Sequence, residues 1–438
     1  MEGEFINGFS KLPKEEKLRF ISDVMNDPDF PSEAASYWHP EKQEIFDAFS
    51  ENTISNFYLP FGIAPNFLIN NKVYHVPMVV EESSVVAAAS AAAKFWSVRG
   101  GFQAKVISTI KKGHVHFVWL DDFNILKEAF GAIKIKLMDE TSSLTANMRE
   151  RGGGIIHIEL EDFSQKLNNY YRIAVDFQTA DSMGANFINS VLEAMAGAFR
   201  NFILGTFPEK ADRLEIIMSI LSNHVPDCRV DSYLSCPIEQ LDTIDENFTG
   251  KEFANKFKTA VDIACIDPYR AATHNKGIMN GIDPVVIVTG NDFRAVEAGV
   301  HAWAASSGTY KSISQVNLDG NNFKFSLSMP LAIGTVGGLT SLHPMAKRAM
   351  QILGNPSASE LMTIIASVGL ASNFSAIRAL ITKGIQQGHM KMHLSNILLS
   401  FNLEPFQRAE IEAYFHEKKI SHKAVQNYIN EHFLNNAL

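Results

Sequence analysis

Cysteine is scarce: 438 residues hold only Cys228, Cys236 and Cys265. Their odd number and lack of metal-ligand spacing exclude a disulfide framework and a thiolate metal centre. Buried free thiols in a reducing compartment, the cytoplasm, are expected. Basic charge is also short, with 39 Lys and Arg against 48 Asp and Glu, a net of −9. General nucleic-acid binding wants a basic surface and is not expected. A local grip on phosphate stays open, because helix N-termini and a few cations suffice for it. No run of about 20 apolar residues is evident, so no membrane span is expected. The acidic start Met1-Glu2-Gly3-Glu4 has no apolar h-region, so no secretory signal is expected. There is no internal repeat, no low-complexity linker and no GxGxxG fingerprint.

Apolar residues make up 46% of the chain, enough for large cores, and the length suits two or three domains. Lys14 to Met25 reads as an amphipathic helix with Leu18, Ile21 and Met25 on one face. Strands are expected at Asn56 to Leu59, Asn66 to Ile69 and Val73 to Val80, with a hairpin turn at Asn70-Asn71. Ser83-Ser84 then offers N-caps for an Ala-rich helix from Val85, which Gly100-Gly101 ends. Residues 104–125 alternate like strands, Leu126 to Met148 reads as helix, and Ile155 to Leu160 and Tyr171 to Val175 read as strands. A helix follows with Phe187, Val191, Met195, Phe199 and Phe202 on one stripe. Residues 108–222 thus form an α+β unit inserted between strand-rich blocks. From Ser357 onward the chain reads as helical.

Candidate chemistry concentrates between Asp267 and Asp292. Arg270, Lys276 and Asp292 stand among Gly, Asn, Ala and Thr, around an apolar run Pro284 to Val288 that reads as a strand. Charged groups held among small residues beside a buried strand predict a substrate pocket. Lys276 would polarise a carbonyl oxygen, or else be a surface loop lysine. Asp292 follows the strand and precedes a helix that it can cap. Glu81-Glu82 sits between an apolar strand and an apolar helix, where a carboxylate is biased towards its protonated form; the alternative is an acid facing water. Asp181-Ser182-Met183-Gly184-Ala185-Asn186 puts small residues at a helix start, a weak phosphate signal. Gly334 to Gly338 allows close backbone approach to a ligand or a neighbouring chain, or forms a packing turn. His389 and His393 share a helix face but lack a third ligand, so no metal is expected and a single proton-donating histidine fits better.

These segments, in this order, resemble hydroxymethylglutaryl-coenzyme A reductase of the bacterial, soluble class (class II). The carrying motifs are Glu51 to Ile54, Pro77 to Glu82, Asp181 to Asn186, Asp267 to Asp292, Gly334 to Gly338 and Gly388-His389-Met390. The likeness covers nearly the whole chain and is weakest in residues 1–40 and 405–438. It implies a cytoplasmic, four-electron reduction of 3-hydroxy-3-methylglutaryl-CoA to mevalonate and coenzyme A, with NADPH or NADH. It places catalysis on Glu82, Lys276, Asp292 and His389. Arg270, Ser84 and Asn280 would bind substrate, and Lys11 would meet the phosphate of CoA. Asp181, Met183, Gly184, Ala185 and Asn186 would bind the dinucleotide. NADH-using members carry an aspartate where this chain has Thr145; with Arg149 and Arg151 nearby, NADPH or dual use is expected. The implied fold is α+β: a large domain (1–107 and 223–380), an inserted ferredoxin-like dinucleotide domain (108–222) and a C-terminal helical flap (381–438). A homodimer, or a higher oligomer built on it, with the active site at the interface is implied. The rival readings are a catalytically silent paralogue and a reductase of another acyl-CoA.

Overall fold

The computed structural model describes residues 5–245, 247–382, 394, 397–415, 418 and 420–434. His389 and His393 lie outside them. Three helices, α1 (Lys14–Met25), α2 (Phe30–Ser36) and α3 (Gln43–Asp47), precede the hairpin of β1 (Phe61–Ile69) and β2 (Lys72–Val79). Next come α4 (Val85–Ser97), β3 (Gln103–Val106), β4 (Lys111–Trp119), α5 (Phe123–Glu140) and α6 (Ser142–Glu150). β5 (Gly154–Asp162), β6 (Tyr170–Gln178), α7 (Ala185–Thr206), β7 (Leu214–Leu221) and β8 (Arg229–Pro237) follow. The remainder holds α8 (Gly250–Ile266), α9 (Pro268–Val288), α10 (Phe293–Ala304), β9 (Ser314–Asp319) and β10 (Asn322–Pro330). α11 (Leu339–Leu342), α12 (Pro344–Ile352) and α13 (Ala358–Ile381) come next, and two short helices, Pro405–Tyr414 and His422–Ile429, lead to a π-helical turn, Asn430–Leu434, that closes the described chain.

Two four-stranded sheets, ordered β3-β8-β10-β9 and β5-β6-β4-β7, and a separate two-stranded β1-β2 sheet make up the strands of this α+β fold. β4 through β7 run β-α-β-β-α-β, all antiparallel, with β4 and β6 in the middle. Their apolar face packs on α5 and on the α7 stripe: Val191, Met195 and Phe199 are buried, with Phe187 and Phe202 beside them. A second, larger core is built around α13, whose buried residues include Leu361, Ile365, Leu370 and Phe374. A small third core joins Leu394 and Leu398 to Ile411, Val425 and Tyr428.

The Asn70-Asn71 turn forms as expected, both residues at positive φ (48° and 65°), the backbone of the tight hairpin loop. Asn56 to Leu59 is not a strand. The Asn56 and Tyr58 side chains are bound to the Tyr37 carbonyl, and pairing starts only at Phe61. α1 forms as read, but Met25 is exposed, and Leu18 with the stem of Lys17 carries the contact. α13 is itself long and apolar enough to span a bilayer by length and composition, contrary to expectation, yet it lies at the centre of the large core.

The largest correction concerns Asp267 to Val288, which is a single helix and not a loop followed by a strand. Asp267 caps it by accepting from the Tyr269 N–H, and Pro268 occupies the first turn, where a missing N–H costs nothing. Its glycines mark helix packing. A Cβ on Gly281 would lie 2.5 Å from the Val368 carbonyl oxygen of α13, and one on Gly369 would lie 2.8 Å from Ile282. Pro284 cannot donate to the carbonyl of Asn280, one turn earlier.

Between α9 and α10, the Asp283 carboxyl faces Glu297, whose carboxylate is 3.9 Å from His301 Nε2, and Asp283 Oδ1 is buried without a hydrogen-bond partner among the described residues. Burial first, then the facing Glu297 carboxyl and its charge, push Asp283 up to about 8. Because this folded-state value lies above the ordinary carboxylate range, the contribution is fully stabilising below about pH 4 and lost as pH rises through about 8. Asp283→Asn keeps the shape of the side chain without the titration. Relative to the parent it should therefore gain on the order of 2 kcal/mol between pH 5 and pH 8.5 in urea unfolding. Parallel pH profiles for the two proteins would contradict this.

Candidate active site

α13 packs against both α9 and α4, and the three line a cavity of about 470 Å³. Glu82, Ser84, Arg270, Lys276 and Asn280 all reach it, so five of the residues named from the sequence come together. Helical spacing places Arg270, Thr273, Lys276, Gly277 and Asn280 along one side of α9. Lys276 Nζ is 3.3 Å from Glu82 Oε2. Both ends are open to solvent, 63% for lysine and 39% for glutamate, so the pair adds little to stability. Glu82 is therefore not wedged among apolar side chains in the single chain. Ser84 stands at the N-cap position of α4 but caps nothing; its Oγ donates to Glu82 Oε1 at 3.3 Å.

Arg270 is half-buried and makes no hydrogen bond or ion pair among the described residues. Burial lowers its pKa, yet guanidinium stays charged at any working pH. A desolvated, unpaired guanidinium at the wall of a cavity fits an incoming carboxylate. His274, one turn along, was not singled out from the sequence. It is buried, and burial with the charge of Arg270 pushes it down to about 3. Its Nε2 lies 2.6 Å from Ser314 Oγ, which donates to Asn373 Oδ1 at 3.0 Å. Nε2 must then carry the proton, and the neutral ring adds no charge between Arg270 and Lys276. Reading the block as a helix would have exposed the Arg270–His274 spacing.

Asp292 does not line this cavity. It caps α10, accepting from the Arg294 and Ala295 N–H groups, and pairs with the Arg294 side chain at 3.2 Å. The capping role is as read, but a helix, not a strand, precedes it. Lys11 ends a 3-10 turn at the surface and lines neither cavity.

A second cleft of about 440 Å³ is lined by Met148, Arg151, Thr179 to Ser182 and Val336. Gly184 starts α7 at φ 84°, and Ala185 and Asn186 form the first turn. Gly334 is where the chain needs glycine: a Cβ there would lie 2.3 Å from the Met183 nitrogen. Thr335 N–H donates to the Asp181 carbonyl at 2.8 Å, and Ala358 N–H to its carboxylate at 2.7 Å. Gly334 thus serves close approach to the 181–183 segment, whereas Gly337 and Gly338 supply positive φ (83° and 56°) in open space. Thr145 is buried inside α6, and Arg149 donates to its hydroxyl at 2.9 Å and to the Ser142 carbonyl. Arg151 is the arginine that reaches the cleft.

The profile of the hydroxymethylglutaryl-coenzyme A reductase family matches residues 14–394. The chain is 35% identical over 396 residues to the 3-hydroxy-3-methylglutaryl-coenzyme A reductase of Archaeoglobus fulgidus, covering 90% of this chain and 86% of that protein. It is 34% identical over 373 residues to the probable reductase of Borreliella burgdorferi, covering 82% and 81%. The class II reductase of Streptococcus pneumoniae, solved with NADPH in open conformations, is similar at TM-score 0.70 and 34% identity, over 86% of this chain and 99% of that one.

Proposed function

From the premise that the chain belongs to the hydroxymethylglutaryl-coenzyme A reductase family, we propose a division of labour among its residues. The enzyme reduces 3-hydroxy-3-methylglutaryl-CoA to mevalonate and free coenzyme A. NADPH supplies a hydride at each of the two reductive steps. The observation that carries the assignment of residues is the convergence of Lys276, Glu82 and the unpartnered Arg270 on one cavity.

Arg270, with Ser84, holds the free carboxylate of the acyl group, which directs the thioester towards Lys276. The Lys276 ammonium faces the carbonyl oxygen and stabilises the negative charge that develops there. Glu82, in contact with Lys276, delivers the proton that the aldehyde oxygen needs in the second reduction. His389 protonates the departing CoA thiolate, and Asn280, at the cavity wall, contacts the acyl group. Asp292 completes the set by keeping Lys276 charged. For the dinucleotide, the cleft lined by Thr179 to Ser182 fits: Gly334 lets its own segment pack closely on Met183, and the start of α7 follows directly at Gly184 to Asn186, where helix N–H groups favour phosphate. Arg151 is placed to meet a 2′-phosphate, and no acid stands at Thr145 to repel it.

A homodimer carries the site. Support comes from Asp292 lying off the cavity of the single chain and from the large exposed side chains of Phe57 and Tyr269, each 90% exposed. The separate cores of residues 64–106 with 225–381 and of residues 115–203 support the division into a large domain and an inserted one. The free thiols support a cytoplasmic setting. The deciding experiment follows cofactor oxidation with 3-hydroxy-3-methylglutaryl-CoA, in parallel with NADPH and NADH. Two dinucleotides should be oxidised per thioester, with kcat/KM higher for NADPH. No turnover from a folded dimer would favour the silent paralogue.

A further inference from the structure

One buried charge has no part in this chemistry. Lys111 opens β4 on the face that α7 covers, and it is 4% exposed. Two residues on, Gly113 lets α7 settle close: a Cβ there would lie 2.5 Å from Leu192 and 3.0 Å from Ile188. The Lys111 ammonium donates to Thr179 Oγ1 at 2.7 Å and to the Ser182 carbonyl at 3.4 Å. Thr179, fully buried, donates its own hydroxyl to the same carbonyl at 2.6 Å. The neighbouring Lys112 takes both nearby acids, Asp176 and Asp227. Lys111 has no acidic partner among the described residues, and burial lowers its pKa.

An ammonium buried without a counter-ion costs several kcal/mol. Its position near the start of α7 compounds this, because a helix N-terminus already carries partial positive charge. Both penalties fall if an anion settles on that helix start. We propose that Lys111 is a positioning residue for the dinucleotide phosphates, fixing the 179–184 turn through Thr179 and Ser182 while its charge is balanced by the bound cofactor. This rests on the reading of Asp181 to Asn186 as the dinucleotide segment. The neutral near-isostere Lys111→Met should raise the NADPH Kd, read by fluorescence titration, about tenfold, the worth of one charge-assisted hydrogen bond. The KM for dinucleotide should rise by the same factor and that for 3-hydroxy-3-methylglutaryl-CoA should not. A general packing defect would not separate the two substrates. The cofactor-free Tm should hold or rise, and the Tm gain from saturating NADPH should shrink. Thr179→Val, which removes the hydroxyl at nearly constant volume, should move the NADPH Kd in the same direction, and it decides the matter alone if Lys111→Met does not fold. Unchanged NADPH affinity in the folded variants, beside a parent that binds NADPH, overturns the role of Lys111 and leaves the cleft intact. A parent that binds neither NADPH nor NADH overturns the reading of the cleft and this inference together.

Discussion

Lys276→Ala should lower kcat by about 10²–10³ or more, for the thioester and for free mevaldehyde alike, the scale of losing a main oxyanion donor. Both reductions place negative charge on an oxygen, and Lys276 is the cation of α9 that meets the Glu82 carboxylate at the cavity. The side chain is largely solvent-exposed in the free chain, so its loss should leave the Tm close to that of the parent. The KM for substrate should change far less than kcat, because the charge it opposes exists only in the transition state. Steady-state kinetics with each substrate, with NADPH binding as a check on folding, measures this. A kcat within tenfold of the parent for both reductions would remove Lys276 from the oxyanion role.

Arg270→Met should act on the other side of the balance, raising the KM for 3-hydroxy-3-methylglutaryl-CoA about 100-fold. That is about 2.7 kcal/mol, within reach of a bidentate guanidinium–carboxylate contact in a partly desolvated site. The contact exists in the ground state and the transition state, so kcat should fall less. A CoA thioester without a free carboxylate should be a poor substrate for parent and variant alike. Equal KM for the parent and Arg270→Met would show that the carboxylate is held elsewhere. Relief of an unpaired, half-buried charge should also leave the variant at least as stable as the parent.

How much was legible before the structure varies by element. The Asn70-Asn71 hairpin, the α7 stripe and α1 were readable because each carries its own period or turn chemistry. The Asp267 to Val288 helix was not, for two reasons. Val285 to Val288 is a short β-branched run that periodicity alone cannot assign. Gly277, Gly281 and Pro284 are breakers by propensity, but packing against Val368 and Ala376 of α13 overrides them. The site suffered less. Lys276, Arg270 and Glu82 were found from their surroundings and from family likeness, and they do converge. His274 was missed because its meaning lies in partners 40 and 99 residues away, Ser314 and Asn373. Ser84 was read both as a cap and as a ligand, and its hydroxyl turns to Glu82.

The central position of α13 bears on how the chain is made. A ribosome releases β1, β2, α4, β3, β8 and α9 before Ala358 appears, so the cradle precedes the helix that fills it. A nascent chain at that stage has apolar walls around an empty axis, and α13 then emerges as a long apolar segment that must be covered quickly. Rapid docking into a waiting cradle resolves both exposures at once. Chains that stop short of Ala358 would keep the walls exposed and be cleared or aggregate, whereas chains that pass Ile381 can close the large core before the last fifty-odd residues are added.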